Sequence, residues 1–243
     1  MTVGLGPALC LPFVTGCAAP PRHRAAGIGA AQGLDVRLQD YREAARAGVV
    51  GTVTGRVYVE RAKPDGADTP LADVAVILVP HSEKLLGDLE ALKREARHSL
   101  AAYHDAAARI QGRLEAYGAA VAAAAGAQVM RAAQVNADGM FRLDGIPAGQ
   151  WLLYAARALF VPIHGSVPTK QERKLFRLRD PVRGHRAITA WLRELTVAGG
   201  EVEVVELTDR NRWFTGMVEE RGPNPMPPSR GTRGAQTPRD SPR

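Results

Sequence analysis

The feature that most constrains this chain is a change of hydrophobic period, made twice. From Gly51 the apolar residues step by two, with Val53, Val57 and Val59 on one face and Thr54, Arg56 and Tyr58 on the other. That is the pattern of a half-buried strand. From Ser82 to about Ala125 the steps become threes and fours, through Leu85, Leu89, Leu92, Ile110, Leu114, Tyr117 and Val121. This is a heptad-like helical seam. Beyond it the period returns to two. With 45% of its 243 residues apolar, the chain can bury a substantial core, and its patterning predicts a mainly β fold interrupted by helix.

Turn chemistry divides the β part further. Lys63-Pro64-Asp65-Gly66 is a turn, and Ala72–Val79 is a strand apolar on both faces, as expected where both sides are covered. Ser82 can cap the helical insertion, with Glu83 in its first turn. As one helix, the insertion would reach roughly 60 Å at about 1.5 Å per residue. A hairpin or an oligomer through the same seam remains open, and no proline marks a midpoint. Strand signals resume at Gln134–Asn136, followed by an Ala137-Asp138-Gly139 hairpin turn and by Met140–Leu143. Gly145–Gly149 forms a tight corner into Trp151–Ala156. Residues 164–184 read as a polar, basic loop, and Ala187–Leu195 and Glu201–Leu207 as two more strands. Asp209–Glu220 is expected to trail off the sheet, with Trp213 and Phe214 packing back on it.

Five motifs along this stretch occur in the order of a known family. They are Gly55-Arg56-Val57, then Pro70-Leu71 running to Ala75-Val76, Asp138-Gly139-Met140-Phe141-Arg142-Leu143, Gly145-Ile146-Pro147-Ala148-Gly149 with Trp151, and Gly200-Glu201 leading to Val204. Together they resemble a carboxypeptidase regulatory-like domain, a transthyretin-like, Greek-key β-sandwich. The resemblance covers residues 51–79 and 130–207. It departs from the family at the inserted helical, coiled-coil-like arm, about 82–128. What the resemblance implies is a non-catalytic accessory module of exported proteins that presents a partner surface or binds carbohydrate.

The N-terminus agrees with export. Apolar Leu5–Phe13 precedes Val14-Thr15-Gly16-Cys17 and then Ala18-Ala19-Pro20-Pro21. This resembles a bacterial lipobox, in which small residues fit the signal peptidase and the Cys17 thiol accepts the lipid anchor. The leader carries no Lys or Arg before Arg22, as expected if the true start lies upstream. Residues 1–17 are therefore read as a signal peptide, 18–50 as a tether with a short helix at 35–47, and 51–220 as the sandwich with its insertion. Residues 221–243 read as a disordered Pro/Arg-rich tail.

The net charge of +7 suggests a nucleic-acid partner until it is localised. Residues 1–24 carry two arginines and no acid, and residues 221–243 carry five arginines against Asp240. The intervening 25–220 hold 25 bases and 24 acids, so the body is close to neutral and no nucleic-acid partner is expected. Six histidines are present without a His-Glu-x-x-His, and both cysteines lie at or before residue 17. No metal, cofactor or catalytic residue is therefore assigned. The candidate partner surface is the basic cluster Lys170, Arg173, Lys174 and Arg177 together with Trp213. Trp151 and Trp191 fall within strands and are expected in the core. These features predict a lipid-anchored protein of the bacterial cell envelope, facing the periplasm, that engages a protein partner. Self-association through the helical arm and recognition of carbohydrate or peptidoglycan are the further expectations.

Overall fold

The computed structural model describes residues 34–61, 66–126, 129–163, 171 and 182–221. The expected alternation at Gly51 produces β1 (Val50–Val59), which buries Val53 and Val57 completely. A short β2 (Thr69–Pro70) and then β5 (Met140–Pro147) pair antiparallel with β1 along one edge, and β8 (Val202–Thr208) pairs parallel along the other. These four strands form sheet A. Sheet B runs β4 (Arg131–Gln134), β3 (Val74–Pro80), β6 (Gly149–Pro162), β7 (Val182–Val197) and β9 (Phe214–Arg221), all antiparallel.

The two sheets pack face to face as a sandwich, so the fold is mainly β. The expected corner carries the chain between them: β5 ends sheet A at Pro147 and β6 begins sheet B at Gly149. Trp151 and Trp191 are fully buried, as their place within strands predicts. Each indole N–H is satisfied by a backbone carbonyl, Trp151 on Pro147 at 3.0 Å and Trp191 on Thr208 at 2.7 Å. The Trp191 bond ties sheet B to sheet A. Complete burial of such side chains stabilises the fold by roughly 1.5–3 kcal/mol each.

A turn expected at 137–139 is present, although β4 and β5 lie in different sheets. The Asn136 side chain accepts from the Asp138 and Met140 amides at 3.1 and 2.8 Å, and Gly139 takes φ +75°. A side chain on Gly139 would be strained there and would also meet the Val57 carbonyl oxygen 2.6 Å from its Cβ.

The helical insertion departs from the expected arm. It consists of α2 (Glu83–Glu95) and α3 (Leu100–Ala125), folded back on one another. Ser82 caps α2 as expected, accepting from the Leu85 amide at 3.0 Å, and Ser99 caps α3 in the same way from Ala102 at 3.1 Å. Arg109 pairs with Glu95, and Arg113 with Asp88, across the two helices. The seam faces the protein's own sheet: Leu85, Leu89, Ile110 and Val121 are fully buried, and Tyr117 donates to the Pro80 carbonyl at 2.9 Å. The physical reason lies in sheet B. Its outer face carries Leu152, Tyr154, Ile188 and Leu192, which need cover from water. The helices supply that cover as a third layer. The same side chains are therefore spent within the chain and do not form a free seam for self-association.

Two other expectations are corrected. Phe214–Arg221 does not trail off the sheet but pairs with β7 as its edge strand. The strands flanking the basic loop are also longer than their apolar runs, because β6 and β7 keep their ladder as far as Pro162 and Gly184. The short N-terminal helix expected at 35–47 is α1 (Leu38–Arg46). Its Tyr41 packs edge-on to Trp151 at 5.0 Å and donates to the Gln150 carbonyl.

Candidate functional site

Of the candidate residues, Cys17, Lys170, Arg173, Lys174 and Arg177 lie outside the described residues. Trp213 is described, in the short connection between β8 and β9. Its backbone amide donates to Ala190 at 2.9 Å, which brings the ring over the edge of sheet B. Tyr154 meets it edge-on at 6.5 Å and Phe214 lies tilted at 5.9 Å.

Helix α2 covers what remains of the ring. The indole N–H donates to the Glu90 carboxylate, and the Lys93 ammonium stands 5.2 Å from the ring centroid. At a partly exposed site such a cation–π contact is worth about 0.5–1 kcal/mol. Trp213 is thus half-buried, with its hydrogen bond made and a cation over one face. A depression of about 380 Å³ beside it is lined by Asp209, Arg210 and Arg212. Arg210 already pairs with Glu60 at 2.9 Å, and Arg212 donates to the Asp209 carbonyl at 2.6 Å. A sugar stacking on Trp213 would have to share the ring with Lys93.

The outer face of sheet A is a different kind of surface. Strand register sets Thr52 beside Val202, Thr54 beside Val204 and Arg56 beside Glu206. On the other flank of β1, Arg142 and Met140 stand opposite Thr54 and Arg56. The polar groups here are largely paired with one another. Arg142 binds Asp144 through two guanidinium nitrogens at 2.9 and 2.8 Å, and Thr52 donates to the same carboxylate at 2.8 Å. The Arg142 bond, followed by that from Thr52, holds the Asp144 carboxyl below the usual carboxylate range.

The valines have no such partners. Val202 is 56% exposed and Val204 67%. Among the described residues no further strand pairs with β8 on its free edge. An apolar, unpaired edge is a surface that proteins ordinarily blunt or cover. The sequence marks Glu201–Leu207 only as a strand. The signal for exposure is its Glu–Val alternation, whose valines point to the bare face while Val205 and Leu207 reach the core.

Among the described residues, no group of three His, Cys, Asp or Glu side chains comes together in a way that could hold a metal ion. Among them, too, no helix is long and apolar enough to cross a membrane.

No family model matches the chain, and no curated protein matches it. Among solved structures, it is similar at 18% identity to a Pseudomonas aeruginosa protein provisionally called a carbohydrate binding protein. The match covers 72% of this chain and 99% of that one, with a TM-score of 0.36. A likeness at that level transfers neither fold nor ligand.

Proposed function

We propose that this chain is a non-catalytic, lipid-anchored protein of the bacterial cell envelope that presents its sandwich to a protein partner. The observation that carries this reading is the asymmetry of the sandwich. Sheet B is covered by α2 and α3, whereas the outer face of sheet A is bare among the described residues and carries Val202 and Val204. Exposed valines on an unpaired strand edge are a surface that proteins ordinarily cover, which supports a partner there. The lipobox ending at Cys17 supplies the anchor in this reading, and residues 18–33 supply the tether. The Greek-key connectivity and membership of the carboxypeptidase regulatory-like family belong to the same proposal, supported by the five ordered motifs.

The test is site-specific photocrosslinking in cells, with the crosslinker placed at Val204 and, as a control, at Glu115 on the exposed side of α3. A discrete envelope-protein adduct at 204, absent at 115 and lost when Val202 is changed to Lys, is the expected result. No adduct at 204, or the same adducts at both positions, would overturn the reading.

Carbohydrate or peptidoglycan recognition is the second reading. It is favoured by the aromatic–arginine–aspartate chemistry around Trp213. In this reading Lys93→Ala, by freeing the ring, should strengthen retention on a peptidoglycan affinity matrix, and Trp213→Ala should abolish it. Equal retention of both variants and wild type would dismiss it.

A further inference from the structure

The β6–β7 ladder runs on past the part of sheet B that is covered. Side chains of β6 are buried from Trp151 to Ala155, whereas Ala158, Leu159 and Phe160 are exposed. The ladder itself continues to the Pro162–Gly184 pair, and the Ile163 amide still donates to the Arg183 carbonyl at 3.1 Å. At this end Leu159 is 51% exposed, Phe160 45% and Ile163 51%. Successive side chains of a strand point to opposite faces, so Leu159 and Phe160 leave one bare apolar group on each. The Phe160 ring lies across Gly184, where a Cβ would come within 2.5 Å of it. The absent side chain on β7 is what lets the ring rest there.

Two features say what such an end would meet. The first is that its apolar side chains lie on both faces of the ribbon. A folded partner covers one face, whereas an apolar medium surrounds both. The second feature is charge. In the sequence, residues 157–188 hold eight bases against two acids, while the rest of the 25–220 body holds 17 bases against 22 acids. The adjoining β9 adds Glu219 and Glu220, and Glu220 is paired with Arg186. Arg157 and Arg183 flank the apolar side chains on the two strands. A body that is almost neutral as a whole is therefore polarised, with its positive end at this hairpin. Such a field turns the hairpin toward an anionic surface.

We propose that the end of the β6–β7 hairpin docks on an anionic lipid surface. Leu159, Phe160 and Ile163 enter the boundary between headgroups and acyl chains, and Arg157 and Arg183 remain at the level of the phosphates. The contact does not require the anchor at Cys17. Val202 and Val204 belong to the other sheet and take no part in it.

The test uses the full chain with Cys10→Ser and Cys17→Ser, so that no lipid anchor contributes and the leader is common to every variant. It is sedimented with vesicles of phosphatidylcholine alone or of phosphatidylcholine and phosphatidylglycerol in equal amounts. Binding to the anionic vesicles is expected, and at least roughly tenfold weaker binding to phosphatidylcholine. Leu159→Ser with Phe160→Ser should weaken the anionic binding roughly tenfold or more, and Arg183→Ala roughly fivefold. These side chains are exposed, so the variants should unfold at the wild-type temperature. An environment-sensitive fluorophore on Ile163→Cys should shift to the blue on the anionic vesicles, and the same label on Val204→Cys should not. No sedimentation, equal binding of the double variant, equal binding to phosphatidylcholine, or an equal shift at 204 would each overturn the proposal. So would a concentration-dependent dimer in vesicle-free solution that the double variant abolishes, which would assign this end to a second copy of the chain.

Discussion

Replacing Ile110 by Ala separates a docked helix from a projecting one by the sign of its effect. On a solvated arm, the change removes an exposed β-branched residue in favour of the best helix former. Stability should then rise by up to about 0.5 kcal/mol. In the structure Ile110 is fully buried in the seam that α3 turns toward the protein. Deleting that side chain forfeits its transfer energy and leaves a cavity, at a cost of about 2–5 kcal/mol. For a folded body of this size, about 3 kcal/mol corresponds to a fall in Tm of roughly 6–12 °C. Urea unfolding followed by tryptophan fluorescence measures the change directly, because Trp151 and Trp191 report on the core. Leu100→Ala is the internal control: Leu100 is 71% exposed at the start of α3, and its loss should stay within about 0.5 kcal/mol. An Ile110→Ala protein as stable as wild type would refute the docking of α3 on sheet B.

Two further predictions follow from the same packing. Gly216→Val places a Cβ 2.6 Å from the Phe214 ring and 3.3 Å from the Ala107 Cβ, so it should destabilise by about 1–3 kcal/mol in thermal unfolding, whereas Gly112→Ala, in open space on α3, should be neutral or stabilising. Asp35 receives the Ser82 hydroxyl and the Lys84 amide at the start of α2. Burial tends to raise its carboxyl, but these bonds outweigh that and hold it below its usual value. A depressed folded-state pKa contributes stability that is present above about pH 4 and lost as pH falls through the folded value. Asp35→Asn should therefore destabilise the start of α2 near pH 7, and the difference from wild type should shrink below about pH 4. A difference independent of pH would contradict that assignment.

Most of the sandwich is legible in the sequence because strands announce themselves locally. Val53 and Val57 alternate, Pro147 and Gly149 mark the corner, and Trp151 and Trp191 are too large to sit anywhere but the core. Even the need for a third layer is written in Ala72–Val79, a strand apolar on both faces. What covers it is not, since Leu85, Leu89, Ile110 and Leu114 have the same spacing whether they face a second chain or their own sheet. The break between α2 and α3 rests on Ser99, whose capping role becomes visible only once the helix has ended. β9 is hard to read because Gly216 offers no side chain to mark the alternation, at the point where α3 touches the sheet.

The proposal of an anchored, partner-binding envelope protein depends first on Cys17. The direct measurement is mass spectrometry of the mature N-terminal peptide, released from membranes of cells expressing the full chain. The account predicts a peptide that begins at Cys17 and carries a diacylglyceryl thioether, with unprocessed chain accumulating in Cys17→Ala. A wild-type chain that retains residues before Cys17, or that begins there without the lipid, would contradict it.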